Sequence, residues 1–118
     1  DNGDGTITDH ATDLMWQKSG SPDDMPYKDV PAYIEKLNKE KFAGYSDWRL
    51  PTVDELKSLL TPELQKNGLF ISPIFDGNQR WCWTSDQRVS GGAWSVYFGY
   101  GNIDIWSNGS RYVRAVRP

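Results

Sequence analysis

One stretch constrains the fold more than any other: Gly44-Tyr45-Ser46-Asp47-Trp48-Arg49-Leu50-Pro51-Thr52-Val53-Asp54-Glu55-Leu56, which ends one helix and starts another. Gly44 follows a periodic apolar run and can take the left-handed conformation that closes a helix, while Pro51 biases Leu50 toward extended backbone. Thr52 and Glu55 have the spacing of a capping box, in which the hydroxyl accepts from the N–H three residues on and the carboxylate reaches back to the cap. The pattern predicts a helix from residue 52 to about 60, with Leu56, Leu59 and Leu60 on its buried side. Asp47 and Arg49 flank Trp48 in a segment with no periodicity of its own. A carboxylate and a guanidinium close to backbone groups can pin such a connection, so Asp47, Trp48, Arg49, Thr52 and Glu55 are read as structural.

Upstream, Asp29 is the expected cap of a first helix reaching about residue 41. Val30, Tyr33, Ile34 and Leu37 follow helical spacing, and Pro31 is tolerated in a first turn. Lys36, Lys39 and Lys41 alternate with Glu35 and Glu40 on a solvated face, with positive charge suitably near the C-terminus. Ser19-Gly20-Ser21-Pro22-Asp23-Asp24-Met25-Pro26 is a loop by composition and is expected to be the most mobile segment. Asn2, Asp4 and Gly5 match the third, fifth and sixth positions of an EF-hand, but the twelfth position falls on Ala11 where a bidentate Glu is required. The expectation is instead a turn feeding a strand over residues 6–8, paired with 14–17. His10, the one histidine, falls in the connection and reads as a solvated turn residue, although a Ser-His-Asp site would have to use it.

Downstream, Leu69-Phe70-Ile71-Ser72-Pro73-Ile74-Phe75 is an irregular apolar stretch, expected as a buried connection. The last forty or so residues read as the sheet. Trp81 and Trp83 alternate with Cys82 and Thr84. Trp94, Val96 and Phe98 share one face of the next strand with Ser95 and Tyr97 on the other, and Ile103 and Ile105 oppose Asn102, Asp104 and Trp106. Gly99-Tyr100-Gly101 and Asn108-Gly109 are turn signals, the latter also within a formal glycosylation sequon. Residues 112–117 close the sheet, with Val113 and Ala115 inward.

The 118 residues make one domain, 1–118, large enough for a real core. Six Trp, six Tyr and four Phe beside 11 Gly and 7 Pro suit a turn-rich sheet protein with few helices. The single cysteine, Cys82, cannot form an internal disulfide and reads as a small buried hydrophobe. A net charge of −3 makes no electrostatic case for nucleic acid or an anionic membrane. No apolar run approaches the roughly 18 residues of a membrane span, so membrane insertion is not expected. The start at Asp1, already inside a turn motif, suggests an excised or processed domain whose leader lies upstream.

If the apolar strand positions face the core, Ser95, Tyr97, Asn102, Asp104, Trp106, Tyr112 and Arg114 converge on the opposite face or its rim. Aromatic faces stack on sugar rings, and Asn, Asp and Arg can hydrogen-bond hydroxyl or acidic substituents. The candidate ligand-binding residues are therefore Tyr97, Tyr100, Asn102, Asp104, Trp106, Asn108, Arg111 and Tyr112. The competing reading has Tyr97 and Trp106 covering a helix or loop and Arg114 acting as counter-ion to Asp47 or another acid. Arg114 is grouped with Trp83 and Trp94 as structural. No catalytic residue, metal ligand or cofactor is assigned.

Gly44-Tyr45-Ser46-Asp47-Trp48-Arg49-Leu50-Pro51-Thr52 is preceded by Asn2-Gly3-Asp4-Gly5-Thr6-Ile7-Thr8-Asp9 and Leu14-Met15-Trp16. It is followed by Ala93-Trp94-Ser95-Val96-Tyr97-Phe98 and Tyr112-Val113-Arg114-Ala115-Val116-Arg117. Together these pieces resemble the C-terminal domain family of the Legionella collagen-like adhesin, a domain of unknown function. The resemblance implies an α+β, C-type-lectin-like fold: two helices packed on a twisted antiparallel sheet, with the N- and C-terminal strands close together. It also implies an extracellular, cell-surface or periplasmic setting and an association with adhesion, sulfated glycans included. The acidity of this chain argues against a polyanion. Calcium-dependent lectins use Glu-Pro-Asn or Gln-Pro-Asp with Trp-Asn-Asp, and Trp106-Ser107-Asn108 lacks the acid. Formylglycine-generating enzymes need a cysteine pair, which one Cys cannot supply. Two expectations follow: a non-enzymatic module binding a glycan or protein ligand, or an assembly module that forms a homo-oligomer through the same aromatics.

Overall fold

The computed structural model describes residues 2–87, 93–99, 102–106 and 110–118, with Gln87 and 102–106 described by their backbone alone. The expected turns at Tyr100 and at Asn108-Gly109 lie outside the described residues. The fold is α+β, with two small antiparallel sheets where one was expected. The first has the order β1-β2-β6, from β1 (Thr6–Asp9), β2 (Leu14–Gln17) and β6 (Val116–Arg117). Thr6 lies opposite Gln17 and Asp9 opposite Leu14, the hairpin predicted from the N-terminal pattern. Met15 then pairs with Arg117 and Trp16 with Val116, which places the first and last strands in one sheet on either side of β2.

The second sheet runs β3 (Trp81–Gln87), β4 (Ala93–Tyr97), β5 (Asn102–Trp106) in that order. Val96 faces Ile103 and Trp94 faces Ile105, so the register aligns the predicted apolar rows. Residues 112–117 do not close this sheet. They touch it through one parallel bridge, Cys82 to Tyr112, and then cross to β2.

A 3-10 turn (Tyr27–Asp29) leads directly into α1 (Val30–Lys39). Asp29 has helical backbone and makes no side-chain cap bond, because the turn delivers the chain already coiled. The helix stops before the expected residue 41. Lys41 takes the left-handed conformation at φ 52°, and Gly44, at φ 89°, closes the next 3-10 turn (Phe42–Gly44) instead. That turn aims the carbonyl of Phe42 at Trp48, whose Nε1 donates to it at 3.0 Å. Asn38 completes the anchor: its Oδ1 accepts from Trp48 N at 2.7 Å and its Nδ2 donates to Trp48 O at 2.9 Å.

The second helix, α2 (Val53–Lys57), is shorter than predicted because Leu60 is drawn into a bridge with Ile71. Its start is as expected. Glu55 N donates to Thr52 Oγ1 at 3.1 Å and Thr52 N to Glu55 Oε1 at 2.9 Å. Asp86 adds an unforeseen cap, accepting from Val53 N at 3.0 Å.

Among the described residues, three apolar clusters fill the interior. The largest joins Trp16, Leu56, Leu69, Ile71, Val96 and Phe98, among others, and burial of each such side chain contributes about 1.5–3 kcal/mol. The second joins Val30, Trp83, Ala93 and Val113, and the third Leu37, Trp48 and Ala115. The C-terminal segment threads all three through Val113, Ala115 and Val116.

Between those apolar residues Arg114 is fully buried. It is not the counter-ion of Asp47. Its Nη1 donates to the carbonyls of Gln17, at 2.8 Å, and Lys18, and its Nη2 to the carbonyl of Asp76 at 2.9 Å and to Gln79 Oε1 at 3.5 Å. The guanidinium also lies 4.9 Å from the Phe75 ring centroid. Asp47 pairs with Arg117 at 2.6 and 3.1 Å, and that partner holds its carboxyl below the ordinary Asp range. The segment expected to be most mobile is tied at both ends: Ser21 exchanges bonds with Val113, and Met25 with Arg111.

Candidate functional site

Trp81 and Tyr97 stand opposite each other on β3 and β4. Their rings stack 4.3 Å apart, 12° from parallel. Arg111 arrives from the C-terminal segment, set by reciprocal backbone bonds with Met25 of 3.1 and 2.8 Å. Its guanidinium carbon lies 5.3 Å from the Trp81 ring centroid, and Nη1 donates to Ser110 O at 2.9 Å. All three side chains are half-buried, so a flat apolar edge and a cation are presented together to solvent. The backbone of Gly99 passes against the Tyr97 ring, since a Cβ there would fall 2.5 Å from ring carbons.

This is narrower than the open polar face expected from the strand pattern. Ser95 is fully buried and Trp83 is 1% exposed, because Val30 and Val113 cover the middle of that face. Tyr112 follows Cys82 to the other side of the sheet and packs on the largest cluster, away from Trp81 and Tyr97. Trp94 is half-exposed and belongs to none of the buried clusters among the described residues. The backbone register sets Asn102 opposite Tyr97, Asp104 opposite Ser95 and Trp106 opposite Ala93. Tyr100 and Asn108 lie outside the described residues. Of the predicted ligand residues whose side chains are described, Tyr97 and Arg111 therefore come together, joined by Trp81, which alternation alone does not single out. The signal for Trp81 was its alternation with Trp83, but only the β3–β4 register shows Tyr97 beside it.

Cys82, His10 and the Arg49–Glu55 pair lie apart from this group. Cys82 is fully buried, and burial pushes its thiol pKa up to about 11, far from a reactive thiolate. His10 is exposed in the β1–β2 connection. Arg49 and Glu55 form a two-pronged pair at 2.7 Å each, and this pairing holds the Glu55 carboxyl down at about 2. The pair steadies the start of α2. Among the described residues no helix is long and apolar enough to cross a membrane.

No curated protein matches the chain. A family model does, over residues 5–117, a span that takes in both sheets, both helices and the Trp81–Tyr97–Arg111 group. By that match over nearly its whole length, the chain belongs to the Lcl C-terminal domain family.

Proposed function

We propose that this domain is a non-enzymatic binding module of an extracellular or cell-surface protein, with a C-type-lectin-like fold and a glycan as its ligand. The stacked Trp81–Tyr97 pair with Arg111 over it carries the reading. Its half-exposed aromatic edge offers apolar surface to the C–H face of a sugar, and the adjacent guanidinium offers donors to hydroxyl or acidic substituents. The stack is formed without ligand, which keeps the ordering cost of binding low. The placement of the first and last strands on either side of β2, with two helices on the sheets, supports the proposed fold.

The test is a glycan array of neutral and sulfated sugars, run with calcium and with chelator, using the unaltered domain and Arg111→Gln and Tyr97→Ala. Light scattering gives the mass of each. Saturable binding that survives chelation and falls about ten-fold or more in both variants, at unchanged mass, is the expected result. Absence of glycan binding by a folded domain of defined oligomeric mass overturns it in favour of an assembly module.

A further inference from the structure

Arg49 lies in extended backbone and is bonded along one edge: its N–H donates to Val116 O at 2.9 Å and its carbonyl accepts from Val116 N at 3.0 Å. In extended chain the N–H and C=O of successive residues point alternately to the two sides. Those of Trp48 and Leu50 therefore point together, away from Val116 and toward α1. At Trp48 the side-chain amide of Asn38 meets them as a neighbouring peptide would. At Leu50 the N–H and C=O have no hydrogen-bond partner among the described residues. Leu50 and Asn38 also line a groove of about 510 Å³ on this side, walled by Tyr27, Val30 and Ile34, with Glu35 and Arg49 in its lining. Arg49 is neutralised by Glu55, whereas Glu35 has no ion-pair partner among the described residues. The groove thus combines one unpaired strand-edge position, an apolar trough and, at its rim beside Lys36 and Lys39, a carboxylate in no ion pair among the described residues.

We propose that this groove docks an extended peptide segment of a partner protein, which pairs with Leu50 as an added strand, lays a bulky apolar side chain against Tyr27 and Ile34, and brings a basic residue to Glu35. Main-chain pairing supplies affinity, and the trough and the carboxylate supply selectivity. The edge is held ready by Val116 on one side and Asn38 on the other, so little is ordered on binding. This site is separate from the Trp81–Tyr97–Arg111 group and does not depend on its reading.

The probe is an acetylated, amidated heptapeptide of alternating Thr and Leu with a Lys beside the central Leu, titrated into the nitrogen-15-labelled domain. A saturable shift of the Leu50 amide and slowed hydrogen exchange there are expected. N-methylation of the peptide along its pairing edge should weaken binding about ten-fold or more, and along the other edge should leave it unchanged. Glu35→Lys should weaken the Lys peptide about five-fold and favour its Glu counterpart. A Leu50 amide that does not move at millimolar peptide, equal binding by both N-methylated peptides, or the same shifts from N-acetyl-leucine amide alone would each overturn the proposal.

Discussion

Arg114→Met isolates what a buried guanidinium contributes when all its acceptors are neutral. Methionine occupies much of the same volume but leaves the carbonyls of Gln17 and Asp76 and the Oε1 of Gln79 without this donor, while Lys18 O keeps the N–H of Asp76 at 2.9 Å. A buried acceptor left unsatisfied costs about 1–3 kcal/mol, so the gross loss is several kcal/mol. Against it stands the dehydration of the guanidinium, which costs several kcal/mol, pushes its pKa down and disappears in the variant. Taking the bonds at mid-range and the dehydration at its lower end, the net loss is about 2–4 kcal/mol. For 118 residues, at about 2.1 cal/mol/K of unfolding entropy per residue, Tm should fall by roughly 8–16 °C. Arg114→Lys keeps a charge but not the planar fork that reaches three chain segments, and should lie between. Urea unfolding followed by tryptophan fluorescence measures the loss, and hydrogen exchange should show it concentrated at residues 17–21 and 76–79. If Arg114→Met matches or exceeds the parent in stability, dehydration outweighs the bonds and the guanidinium does not hold the two loops.

Other expectations follow from single contacts. Glu55 has a folded pKa of about 2 against an ordinary 4.5, so its contribution is fully present above about 4.5 and is lost as pH falls toward 2. Unfolding midpoints measured between pH 5 and 2 should therefore drop in the parent, and Glu55→Gln should flatten part of that fall; parallel curves would refute the assignment. Gly99→Ala places a methyl group where the Tyr97 ring lies and should cost about 1–3 kcal/mol while weakening the Trp81–Tyr97 signal in near-ultraviolet circular dichroism. Cys82 should react with a maleimide at neutral pH only at the rate of unfolding, so prompt labelling of the native protein would show that the thiol is not enclosed.

What was legible in the sequence was local. The Thr52–Glu55 capping box, the apolar spacing of Val30, Ile34 and Leu37, and the β1–β2 hairpin all depend on residues a few positions apart. The inward pair Val113 and Ala115 was also foreseen, both being fully buried. What escaped was long-range. Alternation over residues 112–117 resembles a strand of the second sheet, and nothing in it signals that the chain leaves after one bridge to pair with Met15 and Trp16. Charge alone suggested a carboxylate for Arg114, whereas its acceptors come from segments 35 to 97 positions away. Alternation also sent Ser95 outward and Trp94 inward, but burial is decided by what covers each face. Val30 and Val113 cover the Ser95 side, and Trp94 stays half-exposed.

The shared partner of the first and last strands gives the domain a mechanical character. β1 and β6 both run antiparallel to β2, so they run parallel to each other, with Thr6 beside Gln17 at one end of β2 and Arg117 beside Met15 toward the other. Tension drawn across the two chain ends pulls these strands along their axes in opposite directions, loading cross-strand hydrogen bonds together in shear. Peeling them one at a time would need a pull perpendicular to the strands. The load path runs through the three short strands of the first sheet and bypasses the second sheet, where the Trp81–Tyr97 stack sits.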